Sequence, residues 1–270
     1  MNTTITNYAF GLLGWSFLGR NGNQNTRVGP EDGCDANGVP YAHHTWIGYF
    51  QEGNFGEALK WNEKACEIRV GDPRSGPTYI IAEKGCRALI LASLEKYDEA
   101  IRDISQTLDE CEKEFPASIK GDEIILETMD TASMVHRMVG RYVLADVLSE
   151  QVWRGYEGHK RIGPTDPRTL SAMLRRAQFL RERGKHRHAK ELYEKAYEYV
   201  LQKWEKPSSP PELDDILIVY HRARHLESLE NDPDKSKALE LYAKAKEACD
   251  KVLEKDDKKN FDVRGIWRSI

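Results

Sequence analysis

The stretch "RIGPTDPRTLSAMLRRAQFLRERGKHRHAKELYEKAYEY", residues 161–199, decides the fold. Gly184 interrupts it, and a glycine tolerates the left-handed backbone that ends one helix and lets the chain reverse. Ala189 has almost no side chain, so a second helix can approach the first closely. Ala196, seven residues on, lies two turns along the same face. The stretch predicts a helical hairpin, and the charges from Arg183 to Lys190 decorate its turn and an outer helix face.

The hairpin recurs. "GKHRHAKELYEKA" (184–196) matches "GNFGEALKWNEKA" (53–65), "EKYDEAIRDISQT" (95–107) and "GRYVLADVLSEQV" (140–152), with a weaker copy, "PDKSKALELYAKA", at 233–245. The anchoring alanines are Ala58, Ala100, Ala145, Ala189 and Ala238, and seven residues after each stands Ala65, Thr107, Val152, Ala196 or Ala245. Such a period marks a repeat architecture in which each unit buries its apolar face against its neighbours. Phe55, Tyr97 and Tyr142 follow the turn in the first three copies and are expected to plug the gap between the paired helices.

The G-x-Y-x-x-A-x6-A pattern resembles the tetratricopeptide repeat (TPR). The longer spacing, with Gly163, Pro164, Pro167, Thr169 and Leu170 forming a G-P-x-x-P-x-T-L linker, is similar to repeats of the kinesin light chain type. HEAT-like repeats overlap this period. The resemblance implies an all-α fold, a right-handed α-solenoid of about five hairpins over residues 40–255. Residues 1–39 would be an N-terminal cap or lid and 256–270 a C-terminal tail. Copy three departs from the pattern, with Leu144 before its alanine and His136 in the aromatic slot ahead of the turn. Copy one carries Trp46 where a small residue is usual, and copy five lacks the glycine and has a longer turn.

Forty Lys+Arg stand against 44 Asp+Glu, a formal net charge of −4, so no global basic field exists to hold nucleic acid. The five cysteines, Cys34, Cys66, Cys86, Cys111 and Cys249, form no C-x-x-C pair. A reducing, cytoplasmic setting is expected, without disulfide framework or zinc knuckle. "YAFGLLGWSFLG" (8–19) is too short to span a bilayer and lacks the flanks of a secretory leader. Its Leu12, Leu13, Trp15, Phe17 and Leu18 are expected to cover the open face of the first hairpin or to fold back as a lid. "KPSSPPELDD" (206–215) reads as a linker, and Ile266 and Trp267 as packed on the last helix.

Chemical motifs are sparse. "EDGCDANG" fails the order of a calcium loop, and "GRNGNQNTRVG" lacks the lysine of a phosphate loop. Cys34 with the adjacent His43 and His44 lacks metal-ligand spacing, so neither metal nor cofactor is expected. His136 beside Arg137 reads as a packed core histidine before a groove acid or base.

The resemblance further implies that the first helix of each hairpin lines a binding groove. Counting back from the alanines gives His43, Ile47 and Phe50 in copy one, and Gly85, Leu89 and Ala92 in copy two. Asp130, Met134 and Arg137 follow in copy three, Leu174, Gln178 and Arg181 in copy four, and Tyr220, Arg224 and Glu227 in copy five. The lining is apolar at first and guanidinium-bearing later, and Arg forks suit carboxylates or a phosphate. Pairing of these arginines with Asp130, Glu182 and Glu227 is the structural alternative.

Two functions are compatible with this pattern. One is a non-enzymatic scaffold or adaptor that binds a peptide or helix with an acidic part, without nucleic acid or membrane. The other is a small-molecule enzyme, such as a cyclisation or pericyclic catalyst, that uses the groove as a lidded pocket for an organic ligand with an acidic group. No catalytic motif is present to decide for the second.

Overall fold

The computed structural model of the protein describes residues 39–73, 75–115, 123–205, 211, 213–229 and 236–255. Among these residues there are ten α-helices and no strand. They are α1 (Val39–Gln51), α2 (Phe55–Gly71), α3 (Pro77–Ser93), α4 (Tyr97–Glu114) and α5 (Glu123–Met138), then α6 (Tyr142–Gly158), α7 (Pro167–Glu182), α8 (His186–Trp204), α9 (Leu213–Glu227) and α10 (Lys237–Lys255). The chain is an all-α helical-repeat solenoid built of TPR-like hairpins. The expectations placed on 8–19, Cys34, residues 206–210 of the linker, the turn of copy five, Ile266 and Trp267 lie outside the described residues. The linker read at 206–215 is too long at its end, because α9 begins at Leu213 and buries Asp215.

Four hairpins share one turn. Gly53, Gly140 and Gly184 adopt φ of 76°, 80° and 71°, and Glu95 occupies the same position with φ 62°. In each turn this residue's N–H bonds the carbonyl three residues back, and the next N–H reaches five back. The pairs are Gly53 to Phe50 with Asn54 to Tyr49, Glu95 to Ala92 with Lys96 to Leu91, Gly140 to Arg137 with Arg141 to His136, and Gly184 to Arg181 with Lys185 to Leu180. This Schellman closure satisfies carbonyls that a helix end leaves open and fixes the direction in which the next helix departs. The N–H groups of Ala58, Ala100, Ala145 and Ala189 then close the first turn of the second helix, each on the carbonyl four residues back.

All ten repeat positions, from Ala58 and Ala65 to Ala238 and Ala245, are buried. Small side chains there allow close helix approach, which is why the alignment succeeds. The aromatics after the turn behave differently from expectation. Phe55 meets Phe50 at 5.1 Å between ring centroids, but Tyr97 and Tyr142 remain 39% and 40% exposed. As first residues of their helices they stand at the rim of the turn, where one edge of the ring stays in water.

The described residues fall into two compact units, 39–155 and 156–255. In the first, α1 packs on α2, α2 on α3, and α3 on both α4 and α5. α5 and α6 are tied by the Ser133 hydroxyl, which donates to the Ala145 carbonyl at 3.0 Å, and by Gly155, whose lack of a Cβ admits Leu126. In the second unit α7 packs on α8 and α9, and α9 on α8 and α10. First helices of successive hairpins therefore touch within each unit, as α3 with α5 and α7 with α9.

N-capping sharpens individual starts. Asn54 caps α2 through the Glu57 N–H, while Asp166 caps α7 through the Arg168 N–H, with Pro167 in the first turn where its missing N–H is harmless. Asp166 also receives the Arg168 guanidinium at 2.9 Å. Burial pushes its carboxyl up, but the Arg168 hydrogen bonds prevail and hold it below the ordinary value. The Gly-Pro linker thus delivers a helix start. Thr169 locks it by donating to the Gly163 carbonyl at 2.6 Å.

Candidate functional site

The first unit contains a buried carboxylate that the groove count did not single out. Glu83 on α3 is 1% exposed. Its Oε1 accepts from His43 Nδ1 at 2.6 Å and Arg69 Nε at 3.0 Å, and its Oε2 accepts from Trp46 Nε1 and Asn62 Nδ2, both at 3.1 Å. Burial alone would raise the carboxyl, but the hydrogen bond and charge of His43, then Arg69, outweigh it and leave it below the usual range. Four donors from α1 and α2 converge on one acid of α3, so this centre staples three helices together. Trp46, irregular for the repeat, is explained by its N–H on Glu83.

Burial is also the main reason that the Cys66 thiol is pushed up to about 12 and that the buried Cys86 rises well above its ordinary value. Both are inert thiols, since the thiolate is the reactive form.

The expected lining of the first unit is largely core. Ile47, Phe50 and Leu89 are buried, and His43 is committed to Glu83. Asp130 is buried on α5, whereas Met134 and Arg137, further along the same helix, are partly exposed. His136 is buried, with Nδ1 lacking a hydrogen-bond partner among the described residues; burial, then the Arg141 charge, keep it neutral. That is the packed-histidine alternative rather than an acid or base.

The second unit presents a different surface. On α7, Gln178 and Arg181 stand one turn apart; on the adjoining α9, Tyr220, His221 and Arg224 follow one another over one turn. Gln178 is 4% exposed, and its Oε1 has no hydrogen-bond partner among the described residues. His221 Nδ1 is buried and likewise lacks one. Arg181 is partly exposed and Arg224 exposed, the latter with its guanidinium 5.8 Å from the Tyr220 ring centre. Burial, then the charges of Arg181 and Arg224, depress His221 to about 3, which favours the neutral imidazole.

Glu227, expected to pair with Arg224, instead accepts from the Tyr242 hydroxyl of α10 at 2.7 Å. Burial and that bond raise the Tyr242 phenol. Tyr220 and Tyr242 rings lie 5.9 Å apart, giving an aromatic wall beside the cations. The arrangement suits an oxyanion that carries a hydrogen-bond donor: guanidiniums for the charge, Gln178 Oε1 for the donor.

The structure therefore places Gln178, Arg181, Tyr220 and Arg224 on two packed helices of one unit, while Arg137 belongs to the other unit. Sequence reasoning missed His221. Counting by repeat offset selected Tyr220, and the neighbouring imidazole carried no signal beyond its position one turn before Arg224.

Elsewhere in the second unit several buried polar groups are paired. Asp215, fully buried, takes Lys203 Nζ and Trp204 Nε1, each at 3.1 Å. His225 Nε2 hydrogen-bonds the His186 carbonyl at 3.2 Å and stacks on the His186 ring. Among the described residues no three His, Cys, Asp or Glu side chains gather as metal ligands, and no helix is long and apolar enough to cross a membrane.

No protein-family model matches the sequence, and no curated protein matches it. Solved structures do. A crystal structure of a kinesin light chain-type protein with nearly identical TPR-like repeats from Podosopora anserina is 19% identical, with a TM-score of 0.59 over 80% of this chain and 96% of that one. A second structure of those repeats gives 0.58 at 19% identity over 78% and 94%. BtubC (BKLC) from P. vanneervenii gives 0.60 at 12% identity over 78% and 79%. The chain has the TPR-like fold that these proteins share.

Proposed function

We propose that this chain is a binding module that holds an extended or helical segment of another protein on the first-helix faces of its hairpins. Arg181 and Arg224 take the acidic part of that segment. The single observation that carries this reading is the state of Gln178 Oε1, a buried acceptor with no hydrogen-bond partner among the described residues, one turn from Arg181 and on a helix packed against the one that carries Arg224. An orphaned buried acceptor costs about 1–3 kcal/mol, a penalty that a bound N–H removes. A peptide offers both complements, a carboxylate for the arginines and a backbone N–H for Gln178.

The specific test is affinity selection of peptides from a display library, followed by titration of an acidic hit and its Glu-to-Gln counterpart. Arg181→Glu should weaken the acidic hit by about tenfold or more, or about 1.4 kcal/mol, and the neutral counterpart hardly at all. Equal loss for both peptides, or none for either, would overturn the assignment of the acidic part to these arginines.

One observation favours a second reading, a small organic acid as ligand. Every residue from Thr169 to Leu180 on α7 is buried, including Arg175 and Arg176. A helix covered on all sides suits an enclosed ligand better than an open groove. Under that reading the same arginines hold the ligand's acid group, and peptides of any charge fail to bind.

A further inference from the structure

On the helix surfaces of this chain, exposed cations pair with acids one turn away. Lys60 pairs with Glu57, Lys96 with Glu99, Arg154 with Glu150 and Arg187 with Glu191. A spacing of three or four residues puts both side chains on one helix face. Lys96 and Arg187 precede their acids, so the order along the helix is no bar.

Arg224 breaks this pattern. It is exposed and Glu227 stands three residues on along α9, yet Arg224 makes no ion pair with any described residue. Glu227 is diverted to the next helix, where its Oε2 accepts from the Tyr242 hydroxyl of α10 at 2.7 Å. The Arg224 guanidinium instead lies 5.8 Å from the ring centre of Tyr220, one turn back on α9, and that ring is 5.9 Å from the ring of Tyr242. One tyrosine supports the guanidinium, and the other holds away the acid one turn from it.

Contact with an aromatic face leaves the in-plane N–H groups of a guanidinium unspent, and those donors grip a carboxylate two at a time. Lys244, two residues beyond Tyr242, does not substitute for the hydroxyl at Glu227. Its Nζ donates to the Tyr197 hydroxyl at 3.0 Å and lies 5.7 Å from the centre of that ring.

We propose that Tyr242 is a positioning residue for ligand binding: its hydroxyl holds Glu227 off Arg224 and so keeps that guanidinium open to the acid group of a ligand. The inference rests on the reading of Arg224 as a holder of that group, and adds the residue that decides whether Arg224 is available. Tyr242 acts through Glu227 alone and needs no contact with the ligand. Without the hydroxyl, Glu227 turns to Arg224, and an incoming acid has to displace an intramolecular carboxylate. A surface pair at this spacing is strong enough to lower the affinity for that acid by about two- to threefold.

The test uses the full chain and a blocked hexaglutamate peptide at constant ionic strength. The Arg224 Nε–H signal is followed by NMR in the wild type, Tyr242→Phe, Glu227→Gln and the double variant. Phenylalanine keeps the ring beside Tyr220 and loses only the hydroxyl. Before peptide is added, Tyr242→Phe should move the Arg224 signal in the direction in which the peptide moves it in the wild type, as Glu227 arrives. The peptide should then bind at Arg224 about two- to threefold more weakly than in the wild type. With Gln at position 227 the phenylalanine substitution should change neither the signal nor the affinity, a rescue that a merely structural tyrosine would not show.

Equal affinity in the wild type and Tyr242→Phe, or the same weakening in the Glu227→Gln background, overturns the proposal and leaves Arg224 as a holder of acid groups. An Arg224 signal that does not respond to the peptide in the wild type overturns that underlying reading, and the proposal falls with it.

Discussion

Arg69 Nε donates to Glu83 Oε1 at 3.0 Å, joining the last turn of α2 to a buried acid near the start of α3. The two are separated by fourteen residues and by the bend between hairpins one and two. Since Glu83 also accepts from His43 and Trp46 of α1, the pair fixes the relative placement of three helices.

Removing the acid strands the half-buried guanidinium of Arg69 and the donors of His43, Trp46 and Asn62. Glu83→Leu should therefore destabilise the protein by about 3 kcal/mol, read from the urea midpoint at neutral pH, because breaking one side of a buried pair costs more than forming it gained. Restoring only part of the hydrogen bonding, as in Glu83→Gln, should cost less. A loss under about 0.5 kcal/mol in the leucine variant would mean that the centre is dispensable.

Glu95 holds the left-handed position that glycine fills in three other copies. An L side chain there costs about 1 kcal/mol, partly offset by glycine's greater freedom in the unfolded chain. Glu95→Gly should raise stability by about 0.5 kcal/mol, and Gly140→Ala should lower it by about 1 kcal/mol. Both are measured by denaturant unfolding, and destabilisation by Glu95→Gly would contradict the shared turn.

Glycines at other positions separate packing from backbone. A Cβ on Gly155 would sit 2.4 Å from Leu126 Cδ2, inside the core, whereas one on Gly48 would meet nothing within 4 Å. Gly155→Ala should cost about 1–3 kcal/mol as Leu126 is displaced, and Gly48→Ala should be neutral or stabilising. Thermal unfolding of the two variants side by side checks the close approach of α5 and α6.

Acid should act on His221 first and then on Glu83 as well, in overlapping windows. His221 is depressed from 6.5 to about 3, so below pH 6.5 the unfolded chain binds a proton that the fold refuses. Stability is thus present above 6.5 and declines as pH falls toward 3. Glu83 is lowered from 4.5, so its contribution is present above that value and is lost as pH falls through the lower folded value. His221→Gln should flatten the dependence of the unfolding midpoint from pH 6.5 down toward 3, leaving below 4.5 the part of the decline that Glu83 contributes. An unchanged slope would show that His221 is not buried neutral.

The fold was legible because its signals are local. Gly53, Gly140 and Gly184 mark turns through backbone freedom, and Ala58, Ala100, Ala145 and Ala189 mark close helix contacts through size. Glu95 could be aligned despite lacking the glycine, since its neighbours Tyr97 and Ala100 kept the register. Rim exposure of Tyr97 and Tyr142 was not legible, because the same spacing fits a ring tucked in or left at the edge.

The site was legible only by offset. That procedure singled out Gln178, Arg181 and Arg224 for the candidate site, and it also singled out Ile47, Phe50 and Leu89, which are buried in the core. Glu83 and Asp215 look in sequence like charges among apolar residues. Their meaning comes from His43, Trp46 and Arg69, or from Lys203 and Trp204, which folding brings from other helices.

The most direct measurement of the central claim is NMR of the side-chain N–H groups of Gln178, Arg181 and Arg224 during titration with a selected acidic peptide. The account predicts that the Arg181 and Arg224 Nε–H signals shift and become protected from exchange together with Gln178, while Arg87 and Arg154 stay unchanged. Saturation by the peptide with all three α7 and α9 side chains unmoved would contradict it.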